Sequence, residues 1–249
     1  MKPELICGLH AVLAALKAHA VDLVGVWLSD ERHDTRVGAV LAAANAAKVT
    51  VHRVPRATLD RMSDGVSHQG AIARRSAAPK PVYKDVAELI AALSEKPLLL
   101  VLDGVQDPHN LGACLRVADA AGAQAVITPR DRSAPLSPVA RRAAAGAAET
   151  IPLFQVTNLA RTLDELKQAG LWIIGTAADA EQDLFQADLR GPVALVLGGE
   201  GAGMRRLTRE RCDILVRIPM AGSVESLNVS VAAGVCLFEA LRQRQDNRI

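Results

Sequence analysis

"PLLLVLDGVQDPHNLGACLRVADAAGAQAVIT", residues 97–128, contains the pattern from which the architecture of the chain follows. Its apolar run ends at Asp103 and is typical of a strand buried on both faces of a parallel sheet. Asp107, Pro108 and Asn110 then lead into a helix predicted over residues 111–121, and "AQAVIT" predicts the next strand. This strand–helix–strand order predicts an α/β fold with a parallel sheet covered on both faces.

The same alternation continues to the end of the chain. Further strands are predicted in "IPLFQV", "LWIIGTA", "PVALVLGGEG" and "DILVRIPM", and helices in "SPVARRAAAGA" and "NLARTLDELKQAG". A long last helix is predicted over residues 228–242. Its apolar residues recur at spacings of four and three, which predicts that they form one buried stripe: Val231, Val235, Phe238 and Leu241.

A second, smaller α/β domain is predicted before this sheet. Helical and strand patterns alternate from residue 8 to residue 75, which gives an N-terminal domain of residues 1–76. Pro79 and Pro81 stiffen a predicted linker of residues 77–96, which includes a short helix at residues 85–94. The second domain then spans residues 97–249.

Composition narrows the class of protein. Hydrophobic residues make up 50% of the 249 residues and aromatic residues 2%, which predicts an aliphatic core. The four cysteines form no C-x-x-C pair, so we expect neither a metal site nor a disulfide framework. No apolar run is long enough for a membrane span, and the first residues lack the features of a secretory leader. We therefore expect a cytoplasmic protein with no membrane partner.

Two polar residues stand out in the first helix of the larger domain. Asn110 could cap the helix or serve a site, and the sequence favours neither. Arg116 lies within a mostly apolar helix, where a guanidinium needs an anion, a ligand or solvent. Because ligands bind at the carboxyl ends of parallel strands, a functional role is favoured for Arg116.

A glycine-rich segment, "LVLGGEGAGM", follows a later strand at residues 195–204. It lacks the lysine of a P-loop and does not occupy the first βα turn of a dinucleotide-binding fold. It could be a tight turn, or a loop whose glycines let a ligand approach the backbone. Turn chemistry does not explain Glu200, the one charged residue among the glycines.

The third polar segment lies within "IPMAGSVESLNVSVAAGVCLFEA", residues 218–240. Ser226 or Asn228 could cap the last helix, but only one residue can be the cap. Ser223 and Ser230 add further hydroxyl groups to the same short run. We interpret these side chains as the wall of a hydrogen-bonding pocket.

Taken together and in this order, the three segments resemble the three motifs of the SpoU/TrmH class of SPOUT methyltransferases. "HQG" at residues 68–70, "DRSAPLSPVARRAAAGAAE", "NLARTL" and "GMRRLTRE" extend the resemblance over essentially the whole chain. Within this class, the sequence is similar to the bacterial enzymes that methylate a guanosine of 23S ribosomal RNA.

The resemblance implies a fold, a reaction and an assembly. The implied fold is a SPOUT domain with a deep C-terminal trefoil knot, preceded by an L30e/L7Ae-like RNA-binding domain. The implied reaction moves a methyl group from S-adenosylmethionine to a ribose 2'-hydroxyl of large-subunit ribosomal RNA. Members of the class are homodimers that build the site across the interface, so Arg116 could act beside residues of a partner.

The resemblance also implies roles for particular residues. The implied catalytic residues are Asn110, Arg116, Glu200, Ser226 and Asn228. The implied cofactor-binding residues are Gly198, Gly199, Gly201, Ile218, Met220 and Leu227. The expected RNA-binding residues are Arg130, Arg132, Arg141, Arg142, Arg205, Arg206 and His68, because they follow strand ends or lie in the "HQG" motif.

Arg116 is expected to act as a permanent cation. A guanidinium stays protonated in proteins, so we hypothesise that it stabilises the developing alkoxide and grips a neighbouring phosphate. Two alternatives remain at this stage. One is a ribose methyltransferase acting on transfer RNA, and the other is a non-catalytic RNA-binding assembly factor.

Overall fold

A computed structural model describes residues 4–76, 83–93, 96–201 and 203–245. The residues form two sheets, one of four strands and one of seven. The prolines at positions 79 and 81, on which the stiff linker was predicted, lie outside the described residues. The helix predicted after them is present as α4, Val86–Ala92.

The N-terminal sheet is mixed, with the strand order β1-β4-β2-β3. The strands β2 and β3 are parallel, and the other pairs are antiparallel. The strands are β1 Glu4–Cys7, β2 Leu23–Ser29, β3 Val51–Val54 and β4 Ala71–Arg75, and the helices are α1 Leu9–His19, α2 Thr35–Ala46 and α3 Arg56–Ser63. All were predicted except β1, which precedes the alternating pattern of residues 8–75.

The larger sheet is parallel throughout and has the strand order β7-β6-β5-β10-β8-β11-β9. The strands are β5 Leu98–Asp103, β6 Ala125–Pro129, β7 Leu153–Val156, β8 Trp172–Thr176, β9 Gln182–Asp183, β10 Val193–Gly198 and β11 Ile214–Arg217. The helices are α5 Pro108–Ala120, α6 Pro138–Ala143, α7 Leu159–Gln168, α8 Arg206–Glu210 and α9 Val229–Gln245. The prediction of a parallel α/β sheet is confirmed.

The strand order creates a crevice next to β5. The chain runs outward from β5 to β6 and β7, and its later strands lie on the other side, beginning with β10. The loops after β5 and β10 therefore leave their common edge in opposite directions, and such a switch point is where ligands bind in open parallel sheets. Five consecutive residue pairs of β10 and β5, centred on Leu195 and Leu100, are buried on both strands.

Helix α5 begins three residues earlier than predicted, at Pro108. Asp107 is its N-cap, because the Asp107 side chain accepts a hydrogen bond from the backbone N–H of His109 at 2.9 Å. Proline at the first helical position fits because no hydrogen bond is lost there. Asn110 is therefore not the cap, and its side chain is available for another contact.

The predicted buried stripe of α9 is wrong. Val231 is 51% exposed and Phe238 is 48% exposed, whereas Val235 and Leu241 are half-buried. The buried face instead consists of small and aliphatic residues: Val229, Ala233, Cys236, Leu237 and Ala240. Because the helix is apolar on nearly all sides, spacing alone could not select the face that packs on the sheet.

The two sheets are joined through a network of charged side chains. Arg75, at the end of β4, is fully buried and contacts both Glu4 and Glu149. Arg141 of α6 contacts the same two carboxylates, at 2.8 Å and 2.7 Å. The N-terminal sheet is thus held against the segment around residues 141–149. Across the described parts of the chain, no helix is long and apolar enough to cross a membrane.

Candidate functional site

A cavity of about 590 Å³ opens at the carboxyl ends of β8, β10 and β11. All six residues predicted to bind the cofactor line it: Gly198, Gly199, Gly201, Ile218, Met220 and Leu227. Three of the predicted catalytic residues line it as well, namely Glu200, Ser226 and Asn228. The structure therefore gathers the second and third polar segments around one cavity, at the place where parallel strands position ligands.

Two of the glycines are needed for backbone packing. A Cβ atom on Gly198 would lie 2.1 Å from the carbonyl carbon of Gly203, and one on Gly199 would lie 2.2 Å from the carbonyl oxygen of Gly104. Gly201 has a φ of +82°, in the region that favours glycine. The loop is therefore folded tightly on itself and on the end of β5, which turns Glu200 toward the first polar segment.

Asn110, Glu200 and Asn228 meet through their side chains. The Asn110 amide nitrogen donates to the Glu200 carboxylate. The Asn228 amide nitrogen donates to the Asn110 carbonyl oxygen at 3.0 Å and to the same Glu200 oxygen at 3.3 Å. These residues come from three separate segments, so the structure joins all three predicted motifs in one hydrogen-bonded cluster.

Asn228 also caps the last helix. Its side-chain oxygen accepts hydrogen bonds from the backbone N–H of Ser230 at 2.9 Å and from the Ser230 hydroxyl at 2.6 Å. Asn228 is therefore both a helix cap and a wall residue of the polar site, because its side-chain oxygen caps α9 and its nitrogen donates to the cluster. Ser226 lies on the cavity wall and is not the cap.

A buried carboxylate holds the glycine-rich loop in place. Asp103, at the end of β5, is 1% exposed. It accepts hydrogen bonds from the backbone N–H of Arg205 at 2.8 Å and from its guanidinium at 2.6 Å. The carbonyl oxygen of Asp103 accepts from the N–H of Gly199 at 2.8 Å. Both ends of the loop are thereby tied to β5, next to Asn110.

Arg116 lies apart from the cavity in the single chain. It is exposed on α5 and does not line the cavity of about 590 Å³. It does not line a second cavity of about 240 Å³ beside Asn110 either. Arg116 lies six positions after Asn110, which places it about 9 Å further along the helix and about 120° around the helix axis. Among the residues that the structure describes, the Arg116 side chain has no hydrogen-bond or ion-pair partner.

The predicted RNA-binding arginines fall into two groups. Arg205 contacts Asp103, Arg206 contacts Glu210, and Arg141 joins the network between the sheets. The side chains of Arg132 and Arg142 make no hydrogen bond or ion pair within the described ranges, and the Arg130 side chain donates to the backbone carbonyl of Gln155. Arg130, Arg132 and Arg142 therefore keep free side-chain donors. The side chains of Arg141, Arg205 and Arg206 are paired with carboxylates of the protein.

His68 is placed inside the N-terminal domain. Its side chain is 4% exposed, and its Nδ1 accepts from the N–H of Gly70 at 3.0 Å. The proton is therefore on Nε2, which donates to Asp60 at 2.8 Å. Both ring nitrogens are used within the domain, so the geometry provides a structural explanation for His68.

Sequence reasoning missed several residues of the cavity wall. Thr176 ends β8 and lines the cavity, and its position at the end of a predicted strand was the available signal. Arg209 and Asp179 also line the cavity and form a bidentate pair at 2.8 Å and 2.9 Å. The hydrogen bond from Arg209 lowers the pKa of the Asp179 carboxyl, so the pair stays charged near neutral pH.

Comparison with known proteins places this geometry in a family. Residues 97–238 match the SpoU rRNA Methylase family, and residues 5–81 match the domain described as RNA 2'-O ribose methyltransferase substrate binding. A relative from Pseudomonas putida, the 23S rRNA (guanosine-2'-O-)-methyltransferase RlmB, is 56% identical over 98% of this chain and 98% of its own.

Solved structures agree with the family match. The crystal structure of an RNA 2'-O ribose methyltransferase is similar, with a TM-score of 0.79 and 32% identity, and the match covers 98% of this chain and 89% of that chain. The AdoMet-bound rRNA methyltransferase from Sinorhizobium meliloti has a TM-score of 0.75 and 27% identity, covering 96% and 87%. The chain belongs to the SpoU rRNA methylase family.

Proposed function

We propose that this protein transfers a methyl group from S-adenosylmethionine to the ribose 2'-hydroxyl of a guanosine in 23S ribosomal RNA. The observation that carries the proposal is the meeting of Asn110, Glu200 and Asn228 at the mouth of the cavity. Relatives with that activity align with both sheets of the chain, which favours ribosomal RNA over transfer RNA as the substrate. The hydrogen-bonded cluster of Asn110, Glu200 and Asn228 beside a cavity argues against a non-catalytic assembly factor.

The cavity fits the cofactor in size and charge. Its volume of about 590 Å³ lies within the range of small-molecule sites. Ile218, Met220 and Leu227 offer an apolar wall, while the charged lining residues are Asp179, Glu200, Glu225 and the Asp179-paired Arg209. This negative balance suits a positively charged ligand. When bound, S-adenosylmethionine supplies a methyl group activated by its cationic sulfur.

The polar cluster is suited to orienting the ribose. Glu200 accepts hydrogen bonds and Asn110 and Asn228 donate them, so the cluster can exchange partners with a sugar hydroxyl. Ser226 adds a hydroxyl on the same wall. Arg116 stabilises the oxygen as its proton passes to a neighbouring RNA phosphate or to water, because a preorganised cation next to developing negative charge lowers the barrier.

The protein acts as a homodimer in this proposal. Val231 and Phe238 form an exposed apolar stripe on α9, and α9 packs beside α5, which carries Arg116. A second copy that covers the stripe removes this apolar surface from water. The same contact brings Arg116 of one protomer to the cavity of its partner, which accounts for its exposure in the single chain.

We also propose the domain boundaries and the knot. The family matches and the two sheets support an L30e/L7Ae-like domain of residues 1–76, a linker of residues 77–96 and a SPOUT domain of residues 97–249. A C-terminal trefoil knot is proposed from the resemblance to the SPOUT class and from the match of residues 97–238 to the SpoU rRNA Methylase family. Arg130, Arg132 and Arg142 are proposed to contact RNA phosphates through their free donors.

The activity is tested by mapping ribose methylation on 23S ribosomal RNA. RNA from cells that lack the protein is incubated with purified protein and S-adenosylmethionine, and 2'-O-methylation is read at each nucleotide. We expect one guanosine to become methylated, and Glu200→Gln to lower the rate by about 100-fold through loss of charge in the site. Methylation of transfer RNA alone, or cofactor binding without any methylation, would reject the proposal.

Complementation tests the shared site. Arg116→Ala and Asn228→Ala proteins are each expected to be inactive, because each homodimer lacks one part of both sites. After the two are mixed through an unfolding and refolding cycle, mixed dimers contain one intact site, so about a quarter of wild-type activity should return. If Arg116 acted within its own chain, mixing would restore nothing, because each chain would carry one defect.

A further inference from the structure

Three side chains form a row across the N-terminal sheet. Trp27 of β2 stacks on His52 of β3, with ring centroids 4.9 Å apart and an interplanar angle of 20°. The guanidinium carbon of Arg74 lies 5.9 Å from the Trp27 ring centroid, within cation–π distance. Because β4 and β3 flank β2, the order across the sheet is Arg74, Trp27, His52. None of these residues belongs to the methyl-transfer site.

The row lies on the face of the sheet that α1 and α2 leave uncovered. Val26 and Leu28 pack in the core with these helices, so Trp27 between them points to the opposite face. Gly25 makes room for the indole on that face, since a Cβ atom there would lie 3.3 Å from the ring. Helix α3 packs against β2 and β4, but His52 and Arg74 remain exposed.

Cross-strand contacts of this kind stabilise a sheet, but the row also leaves the side-chain donors of His52 and Arg74 without a protein partner among the described residues. The Arg74 side chain makes no hydrogen bond or ion pair within the described ranges, and it contacts the Trp27 ring. Aromatic residues are only 2% of the chain, and the chain has two tryptophans. One of the two is held half-exposed between a cation and an imidazole. Both faces of the indole are therefore covered, and the surfaces left for stacking are the outer face of the His52 imidazole and the plane of the Arg74 guanidinium, which also carries hydrogen-bond donors.

We propose that Trp27, His52 and Arg74 form a platform on which an unpaired nucleobase of the RNA substrate stacks. The proposal rests on the proposed function, because it assumes that the N-terminal domain binds ribosomal RNA. Unpaired bases stack on aromatic rings and on guanidinium planes, and Arg74 can at the same time contact a phosphate. The ligand is thus a single-stranded segment of RNA, since paired bases do not present their faces.

Tryptophan fluorescence tests the stacking directly. Trp172→Phe leaves Trp27 as the single tryptophan, and a base that stacks on His52 or Arg74 changes the surroundings of the indole and quenches its emission. Titration with a short single-stranded RNA is expected to quench, and a duplex of the same sequence is expected to have little effect. The matched control is Trp27→Phe, which leaves Trp172 and should give no quenching. Equal effects of single-stranded and duplex RNA on Trp27 would overturn the proposal.

Substitutions at the exposed ends test the role in catalysis. His52→Ala and Arg74→Ala should each raise KM for 23S ribosomal RNA by about tenfold, as expected from losing one base stack, and leave kcat unchanged. Arg36→Ala is the control, because Arg36 is an exposed arginine on α2, at the other side of the sheet. If wild type methylates the RNA but the platform variants keep its KM, the platform fails while the proposed function stands. If wild type does not methylate it, the proposed function fails first, and the fluorescence titration still decides whether single-stranded RNA binds next to Trp27.

Discussion

At the scale of single residues, Asn228 carries two functions in one amide group. Its oxygen accepts from the backbone of Ser230 at the start of α9, and its nitrogen donates to Asn110 and Glu200. A helix cap is thereby used to fix the position of a polar group in the site. Asparagine suits this position because it has an acceptor and a donor at opposite ends, whereas serine has one hydroxyl and aspartate has no donor when charged.

Two substitutions separate these functions. Asn228→Ser keeps a cap acceptor and loses the amide nitrogen, so we expect methyl transfer to fall by at least tenfold with unfolding free energy changed by under about 0.5 kcal/mol. Asn228→Ala loses both functions, and its unfolding free energy should fall by about 1 kcal/mol. Single-turnover rates and urea unfolding measure the two effects. Equal stability of the serine and alanine variants would show that the cap contributes nothing.

At the scale of elements, the close contact of α5 and α6 positions the start of α5. A Cβ atom on Gly112 would lie 2.2 Å from the carbonyl oxygen of Ala140 and 2.6 Å from the Cβ of Ala143. Two helices can approach this closely only where one of them has no side chain. Gly112 lies two residues after Asn110, so this contact also sets where the Asn110 side chain reaches Glu200.

We expect Gly112→Ala to destabilise the protein even though alanine favours helices. Overpacking costs about 1–3 kcal/mol, which exceeds the gain in helix propensity of about 1 kcal/mol. Gly38→Ala in α2 is the matched control, because nothing lies within 4 Å of the added Cβ there, so this variant should be more stable than wild type. Thermal unfolding of both variants checks the pair. A stabilised Gly112→Ala protein would show that α5 and α6 can move apart at little cost in free energy.

At the scale of the whole molecule, four charged residues connect the two sheets. Glu4 and Arg75 come from the N-terminal sheet, and Arg141 and Glu149 come from the α6 segment. Each arginine contacts both carboxylates, so the charges form a closed ring with Arg75 fully buried. Since buried ion pairs depend on complete pairing, this ring favours one orientation of the two domains.

Glu149→Gln breaks the ring while keeping the shape of the side chain. The buried Arg75 then faces a neutral amide, and we expect unfolding free energy to fall by about 3 kcal/mol. Glu165→Gln removes a surface partner of Arg161 and should cost no more than about 0.5 kcal/mol. Urea unfolding, followed by far-UV circular dichroism, compares the two variants with wild type. A loss for Glu149→Gln as small as for Glu165→Gln would mean that the ring does not hold the domains.

The sequence by itself determined the elements and the polar segments. The buried strands ending at Asp103 and Gly198, the helix after Pro108 and the loop around Glu200 all carry local patterns, because strand burial and turn chemistry depend on neighbouring residues. The order of strands and helices was therefore predictable, and so was the convergence of these segments at the carboxyl ends of parallel strands.

Only the tertiary structure decided which side chains meet and which faces are covered. The contacts of Asn228 with Asn110 and of Arg75 with Glu149 span 118 and 74 residues, so they depend on how the crossovers place distant segments. The exposure of Val231 and Phe238 was also beyond reach, because α9 carries apolar groups on several sides. Which side packs on the sheet is set by the fit of small side chains against their neighbours, and local spacing does not contain that information.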